Sequence, residues 1–321
     1  MLVSFRKLVY NFDRIFTKGE SEMQLKSFAE AIQKNGLTVY GVVVRQHDEE
    51  VGSHFWRTDE RINIHSLSKS FLSCGVGIAI SEGLLGLDDQ VISYFPEKLD
   101  AAPSPWLQSL TVRHLLTMSP GHSQGILMGA VRDDLEDTDW VHYFLNYPMD
   151  FAPGTRFAYD TGATFLCSAI LQKQAGMTAL EYLKPRIFAP LGIRNPQWFT
   201  SPDGITLGGG GLHLNTKEIS RFGQMLLNRG RYAGKQLVPE DYLAMATRKQ
   251  IDNAGTPDWS CGYGFQFWMC VPEHVYRGDG ANGQYCIVCP DQDAVIAITS
   301  HEEKNLQGIL DCVWQEILPQ L

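Results

Sequence analysis

Asn63-Ile64-His65-Ser66-Leu67-Ser68-Lys69-Ser70-Phe71 is the stretch on which the rest of the chain can be organised. The β-branched and aromatic run before it, Ser53 to Arg57, reads as a strand. The apolar, small-residue run after it, Phe71 to Ile80, reads as a buried helix. Ser66 is therefore expected where a helix begins, with Lys69 one turn later on the same face. A free serine hydroxyl is a weak nucleophile and needs a base within hydrogen-bond reach. A lysine three residues along supplies one if burial brings its pKa down from ~10.4 toward ~7. Exposed N–H groups at the helix start favour negative charge that develops beside the hydroxyl. The same Ser-x-x-Lys spacing occurs at Ser4-Phe5-Arg6-Lys7, but in a basic N-terminal arm with no buried helix behind it. Context singles out the copy at Ser66.

Working outward, 321 residues suffice for one large domain or two. The net charge of -9 gives no reason to expect nucleic acid or an anionic membrane surface as a partner. Met1 to Lys18 mixes apolar and basic residues without an apolar core of signal-peptide length, so a cytoplasmic protein is expected. No stretch has the ~20 apolar residues of a spanning helix. The seven cysteines are irregularly spaced and do not read as a disulfide framework. Cys286-Ile287-Val288-Cys289 lies in an apolar strand with no second pair at zinc spacing, and reads as small buried hydrophobes.

The periodicity predicts a helix over 21–34, a hairpin from 37–45 and 53–57 around a charged turn, and the Ser66 helix closing at Glu82-Gly83. Shorter helices follow over 111–116, with a stop at Pro120-Gly121, and over 139–146, 164–175 and 179–188. Asn215 with Glu218 caps another helix, which ends at Asn228-Arg229-Gly230. One more begins near Pro239. Strand-like runs at 263–269, 284–289 and 294–300 precede an amphipathic helix over 306–318. The expected fold is α+β: an antiparallel sheet of five or slightly more strands flanked by terminal helices, with a helical insertion packed against it. Residues 1–65 and 206–321 would form the sheet domain and 66–205 the helical one, with the site in the cleft between them.

Two further pieces give Ser66 its meaning. Pro153-Gly154-Thr155-Arg156-Phe157-Ala158-Tyr159-Asp160-Thr161 presents a tyrosine just before a helix, and Gly278-Asp279-Gly280-Ala281-Asn282-Gly283-Gln284 is a glycine-rich corner between strands. With these residues the chain resembles the β-lactamase-related serine hydrolases: class C β-lactamases, D-alanyl-D-alanine carboxypeptidases, family esterases and 6-aminohexanoate-dimer hydrolases. The likeness runs from about Val42 to Ser300. It takes in Gly83-Leu84-Leu85-Gly86-Leu87-Asp88-Asp89, Leu115-Leu116-Thr117-Met118, and Gly210-Gly211-Leu212 leading to Ser220-Arg221-Phe222-Gly223.

The resemblance implies Ser66 as nucleophile, Lys69 as its proton acceptor and Tyr159 as a general acid or base working with Lys69. It implies backbone N–H groups of Ser66 and Ala281 as the oxyanion hole, substrate contacts at Thr161, Asp279 and Gly280, and no metal or organic cofactor. Acyl transfer through an acyl-enzyme on Ser66 is the expected reaction. The expected partner is a small ester, amide or peptide substrate, with the oligomeric state open. Two departures bear on specificity. Thr161 stands where the family's second motif ends in asparagine, and Gly278-Asp279-Gly280 replaces a third motif that begins with lysine or histidine.

The cation that helps to hold a substrate carboxylate is thus missing and an acid stands beside the gap. An esterase or amidase is therefore expected ahead of a β-lactamase or D-alanyl-D-alanine peptidase. A non-catalytic peptide or muropeptide sensor is the reading from another class. Replacing Gly278 by lysine together with Asp279→Thr is expected to raise β-lactam acylation relative to ester hydrolysis. Asp160 reads as a turn residue, and His65 and His122 as packed or hydrogen-bonded histidines rather than bases.

Overall fold

A computed structural model describes residues 23–321, so the basic arm and the Ser4–Lys7 motif lie outside the described residues. Six strands are β1 (Val39–Gln46), β2 (Glu49–Phe55), β3 (Trp268–Met269), β4 (Tyr276–Gly280), β5 (Gln284–Cys289) and β6 (Ala294–Ser300). They form one antiparallel sheet in the order β2-β1-β6-β5-β4-β3, so the two ends of the chain pair at its centre through β1 and β6. The β1–β2 turn is tighter than the charged run suggests. Only His47 and Asp48 lie between the strands, both with positive φ, as a two-residue hairpin loop requires.

Strand alternation splits the buried residues of the sheet into two sets. Val42, Val44, Ile287, Ile296 and Ile298 face the terminal helices α1 (Lys26–Lys34) and α5 (Leu306–Cys312), packing with Phe28, Ile32, Ile309 and Leu310. Cys286, Val288 and Ala297 face the other way. They share a continuous core with α2 (Ser68–Ser81), α3 (Thr161–Ala175) and α4 (Thr216–Leu227), through Phe71, Leu166 and Phe222 among others. All six strands lie outside residues 66–205, yet that segment and the sheet share one apolar interior. Asn215 caps α4 reciprocally with Glu218, as the sequence indicated.

Several elements differ from the sequence-based expectations. The first helix starts at Lys26, α3 starts at Thr161 rather than 164, and the 111–116 helix ends before Met118, whose φ is +56°. The last helix is α-helical only to Cys312 and then widens into a π turn over Val313–Ile317. The run 263–269 is strand only at Trp268–Met269. Gln266 sits at φ +67°, and its buried amide donates to the carbonyls of Leu115 and Leu116 and accepts from Thr164 Oγ1. Those tertiary bonds outweigh the strand pattern. The glycine-rich corner also shifts: Gly278 to Gly280 belong to β4, and only Ala281 to Gly283 make the turn.

β4 lies against the turn that carries Ser66, and two glycines allow it. A Cβ on Gly278 would collide with Leu67 Cδ1 and stand 2.8 Å from Ser70 Oγ. A Cβ on Gly280 would collide with the carbonyl oxygen of Ile64 and stand 3.2 Å from Leu67 N, and these backbone atoms have little freedom to retreat. Gly280→Ala is expected to cost about 1–3 kcal/mol of stability, the range for forcing an extra methyl into a packed site. A denaturant midpoint equal to wild type would show that the approach is looser than this.

Candidate active site

The site is assembled from the start of α2, the loop before α3, the glycine run 208–211 and the end of β4. Ser66 occupies a 3-10 turn, His65–Leu67, that runs directly into α2. His65 before it has a left-handed backbone, φ +50°, held by its N–H donating to Asn63 Oδ1 at 2.9 Å. Its carbonyl accepts from Ser68 Oγ at 2.6 Å. This sharp entry turns the chain so that Ser66 stands at the mouth of a helix buried along nearly its whole length.

Lys69 is 1% exposed. Its Nζ lies 3.2 Å from Ser66 Oγ, 3.2 Å from Thr161 Oγ1 and 2.8 Å from the carbonyl oxygen of Gly209. Burial is the largest influence on its proton affinity and lowers the pKa to about 7, opposed by the Asp160 carboxylate and assisted by the Arg132 cation. Gly209 is a contributor that sequence reading did not single out. A side chain there would start 3.1 Å from Lys69 Nζ and 2.8 Å from Thr161 Cγ2, so the glycine run is its only trace in the sequence. The run is held in place by a small sheet in which Leu212–Leu214 pairs with Ile62–Asn63.

Tyr159 stacks on Trp268, ring centroids 5.4 Å apart, and meets Tyr263 edge-on at 6.2 Å. Lys69 Nζ lies 5.0 Å from the centre of its ring. Burial pushes the phenol's pKa up, against a hydrogen bond with Ser66 and the more distant Arg277. A tyrosine so placed is protonated near neutral pH, whereas the lysine is about half neutral. Of the two, Lys69 is the group able to accept a proton near neutral pH.

Asp160 is the N-cap of α3: its Oδ1 accepts from the N–H groups of Gly162 and Ala163, and from Ile126 across the loop. Its Oδ2 meets His122 Nδ1 at 2.8 Å, both side chains being buried, and the His122 ring packs on Phe144 and Tyr147. The pair fixes the loop that carries Tyr159 and Thr161.

The third-motif strand differs most from expectation. Arg277 is fully buried beside Trp259, Trp268 and Tyr285. It pairs with Asp279 two residues on, Nε and Nη2 each 2.9 Å from Oδ2, because both lie on the β4 face away from α2. Burial raises the Asp279 carboxyl's pKa and Arg277 opposes the rise. The acid is thus matched by an internal cation, which weakens the expected repulsion of a substrate carboxylate. The expected Gly278→Lys rescue also loses its basis, since Leu67 and Ser70 occupy the space a side chain would need. Ala281, the first turn residue after β4, is exposed, and the preceding Gly280 abuts the Ser66 turn. Among the described residues no group of three or more His, Cys, Asp or Glu is arranged to hold a metal ion, and no helix is long and apolar enough to cross a membrane.

Comparison with known proteins bears on the family and the fold. The family model described as Beta-lactamase matches residues 12–311. The chain belongs to the beta-lactamase family. Family relatives include the lovastatin esterase of Penicillium rubens, 27% identical over 161 residues, 44% of this chain and 40% of that protein. The beta-lactamase of Escherichia coli is 28% identical over 137 residues, 43% of this chain and 34% of that one. The chain thus matches well under half the length of these two relatives. Among solved structures, the octameric penicillin-binding protein homologue from Pyrococcus abyssi superposes with a TM-score of 0.72. The identity is 20%, over 90% of this chain and 76% of that one, and the likeness confirms the fold.

The Lys69 environment sets a pH dependence. With the pKa lowered to about 7, the amine is protonated below that point and cannot accept the Ser66 proton. The rate of covalent labelling at Ser66 should therefore rise about tenfold per pH unit up to roughly 7 and level above it. In Lys69→Met this limb should be absent and the plateau lowered by roughly 10²–10⁴-fold. A limb that survives the substitution would assign the titration to another group.

Proposed function

We propose that the chain is a serine hydrolase that acylates Ser66 and acts on small neutral esters or amides. The observation that carries the reading is a buried lysine, close to half neutral at pH 7, with its nitrogen 3.2 Å from the hydroxyl of Ser66. The neutral amine takes the Ser66 proton as Oγ bonds to the substrate carbonyl carbon. The carbonyl π pair moves onto oxygen, where backbone N–H groups of Ser66 and Ala281 receive the charge. The bond to the leaving group then breaks. The leaving group takes a proton from Tyr159, which recovers one from the Lys69 ammonium. Water gives a proton to the same pair and attacks the acyl-enzyme carbonyl; the Ser66 Oγ–carbon bond breaks, Oγ regains that proton and the carboxylic acid leaves.

Preference for a neutral substrate rests on β4. Arg277 is consumed by Asp279, and Gly278 has no room for a cation, so this wall presents no net positive charge. A carboxylate brought here loses hydration without gaining a partner. The relatives divide in name between esterase and beta-lactamase, and β-lactam hydrolysis is the alternative reading.

The test is kcat/KM for a neutral short-chain aryl ester against a chromogenic cephalosporin, with Ser66→Ala as control. The ester should be favoured by at least about tenfold, equivalent to ~1.4 kcal/mol of differential stabilisation. Ser66→Ala should abolish turnover and fluorophosphonate labelling while keeping the fold, since losing a helix-start hydroxyl costs only ~1 kcal/mol. Preference for the cephalosporin would favour the β-lactamase reading. An adduct on another serine would remove Ser66 from its role.

A further inference from the structure

Thr161 has a second neighbour that the reaction does not require. Its hydroxyl oxygen lies 3.2 Å from Lys69 Nζ and 3.0 Å from the thioether sulfur of Met128. The lysine donates to Thr161, so the single hydroxyl proton is directed onto Met128. The hydrogen bonds therefore run outward from Lys69 through Thr161 to sulfur, a weak acceptor. Met128 is partly exposed, on the loop before a short helix, Gly129–Asp133. A second thioether nearby, Met118, accepts from the Asp160 N–H at 3.2 Å but is fully buried. Two sulfurs thus flank the Tyr159–Thr161 loop, and only one is open to reagents in solvent.

We propose that Met128 is an oxidation site through which peroxide lowers the reactivity of Ser66, by strengthening the hold of Thr161 on protonated Lys69. The inference rests on the reading of Lys69 as the base for Ser66. The step is balanced: a sulfur lone pair attacks one peroxide oxygen, the O–O bond breaks, and methionine sulfoxide and water result, sulfur being oxidised by two electrons. The sulfoxide oxygen is a far stronger hydrogen-bond acceptor than the thioether. It draws the Thr161 proton more strongly, which makes Oγ1 a better acceptor for an ammonium, and hydrogen bonding of this kind favours the charged lysine. The other groups acting on Lys69 are the Asp160 carboxylate, the Arg132 guanidinium, the Gly209 carbonyl, the Ser66 hydroxyl and the Tyr159 ring. None of them is chemically modified by the oxidation, and only Arg132, whose backbone N–H donates to the Met128 carbonyl at 3.2 Å, is bonded to the modified residue.

The experiment treats the full chain with dilute hydrogen peroxide and maps oxidised peptides by mass spectrometry. It follows aryl-ester kcat/KM against pH and, separately, the Lys69 titration from its 13Cε shift. Met128 should oxidise well before Met118. Oxidation should raise the Lys69 midpoint by about one pH unit and lower kcat/KM roughly fivefold at pH 7, where the neutral fraction falls from about one half to about one eleventh, and about tenfold at lower pH. Methionine sulfoxide reductase should reverse both changes. Met128→Leu, compared with its own untreated form, should resist peroxide.

Oxidation of Met128 that leaves the Lys69 midpoint in place would overturn the proposal. So would an equal loss of activity in peroxide-treated Met128→Leu. A midpoint that rises in a protein without esterase turnover would refute the proposed reaction while sustaining the coupling of Met128 to Lys69.

Discussion

The constraint on which the rest depends is a lysine kept out of water. Lys69 sits in a helix buried along nearly its whole length, and its amine is met only by groups that accept weakly or share a proton: a serine, a threonine and one carbonyl. Without a carboxylate in direct contact, the buried site favours the neutral form and yields a base near pH 7. The arrangement has a thermodynamic consequence. The folded pKa lies near 7 and the ordinary value is 10.5, so between these limits the unfolded chain binds more protons. The lysine therefore contributes a destabilisation that is fully present at pH 7 and below. That destabilisation fades only as pH climbs toward 10.5. The position is held at a cost to folding, a common relation between activity and stability.

The charge pattern beside the Ser66 turn follows from strand alternation. Gly278 and Gly280 face the Ser66 turn because anything larger would strike it, while Arg277 and Asp279 project from the other face and pair with one another. Asp279 is ion-paired with a cation held among aromatic rings, rather than a free charge guarding the entrance.

Local chemistry made much of this legible in the sequence. Ser66 and Lys69 were readable because three-residue spacing on a helix is a geometric statement. The Asn215–Glu218 cap and the strands at Gln284–Cys289 and Ala294–Ser300 were readable because their signals lie within a few residues. What was hidden depends on partners far along the chain. Gln266 breaks an apparent strand to reach carbonyls some 150 residues away. Gly209 gains its role only once the lysine is beside it. Arg277 and Asp279 form a pair that alternation permits, but the sequence does not say which face of β4 meets α2. The thioether of Met128 reaches Thr161 across a long loop with no periodicity to read.

One feature of the sheet bears on how a long substrate would lie. β3 pairs with β4 only at Tyr276 and Arg277, so from Gly278 to Gly280 the outer edge of β4 lacks a neighbouring strand from β3. An unpaired edge is ordinarily a liability that proteins shorten or cover. This one is three residues long and ends beside the Ser66 turn. An extended peptide laid along it would find main-chain donors and acceptors in line with β3. Such pairing ignores side-chain charge, and so it offers grip and alignment on a wall that supplies no electrostatic attraction.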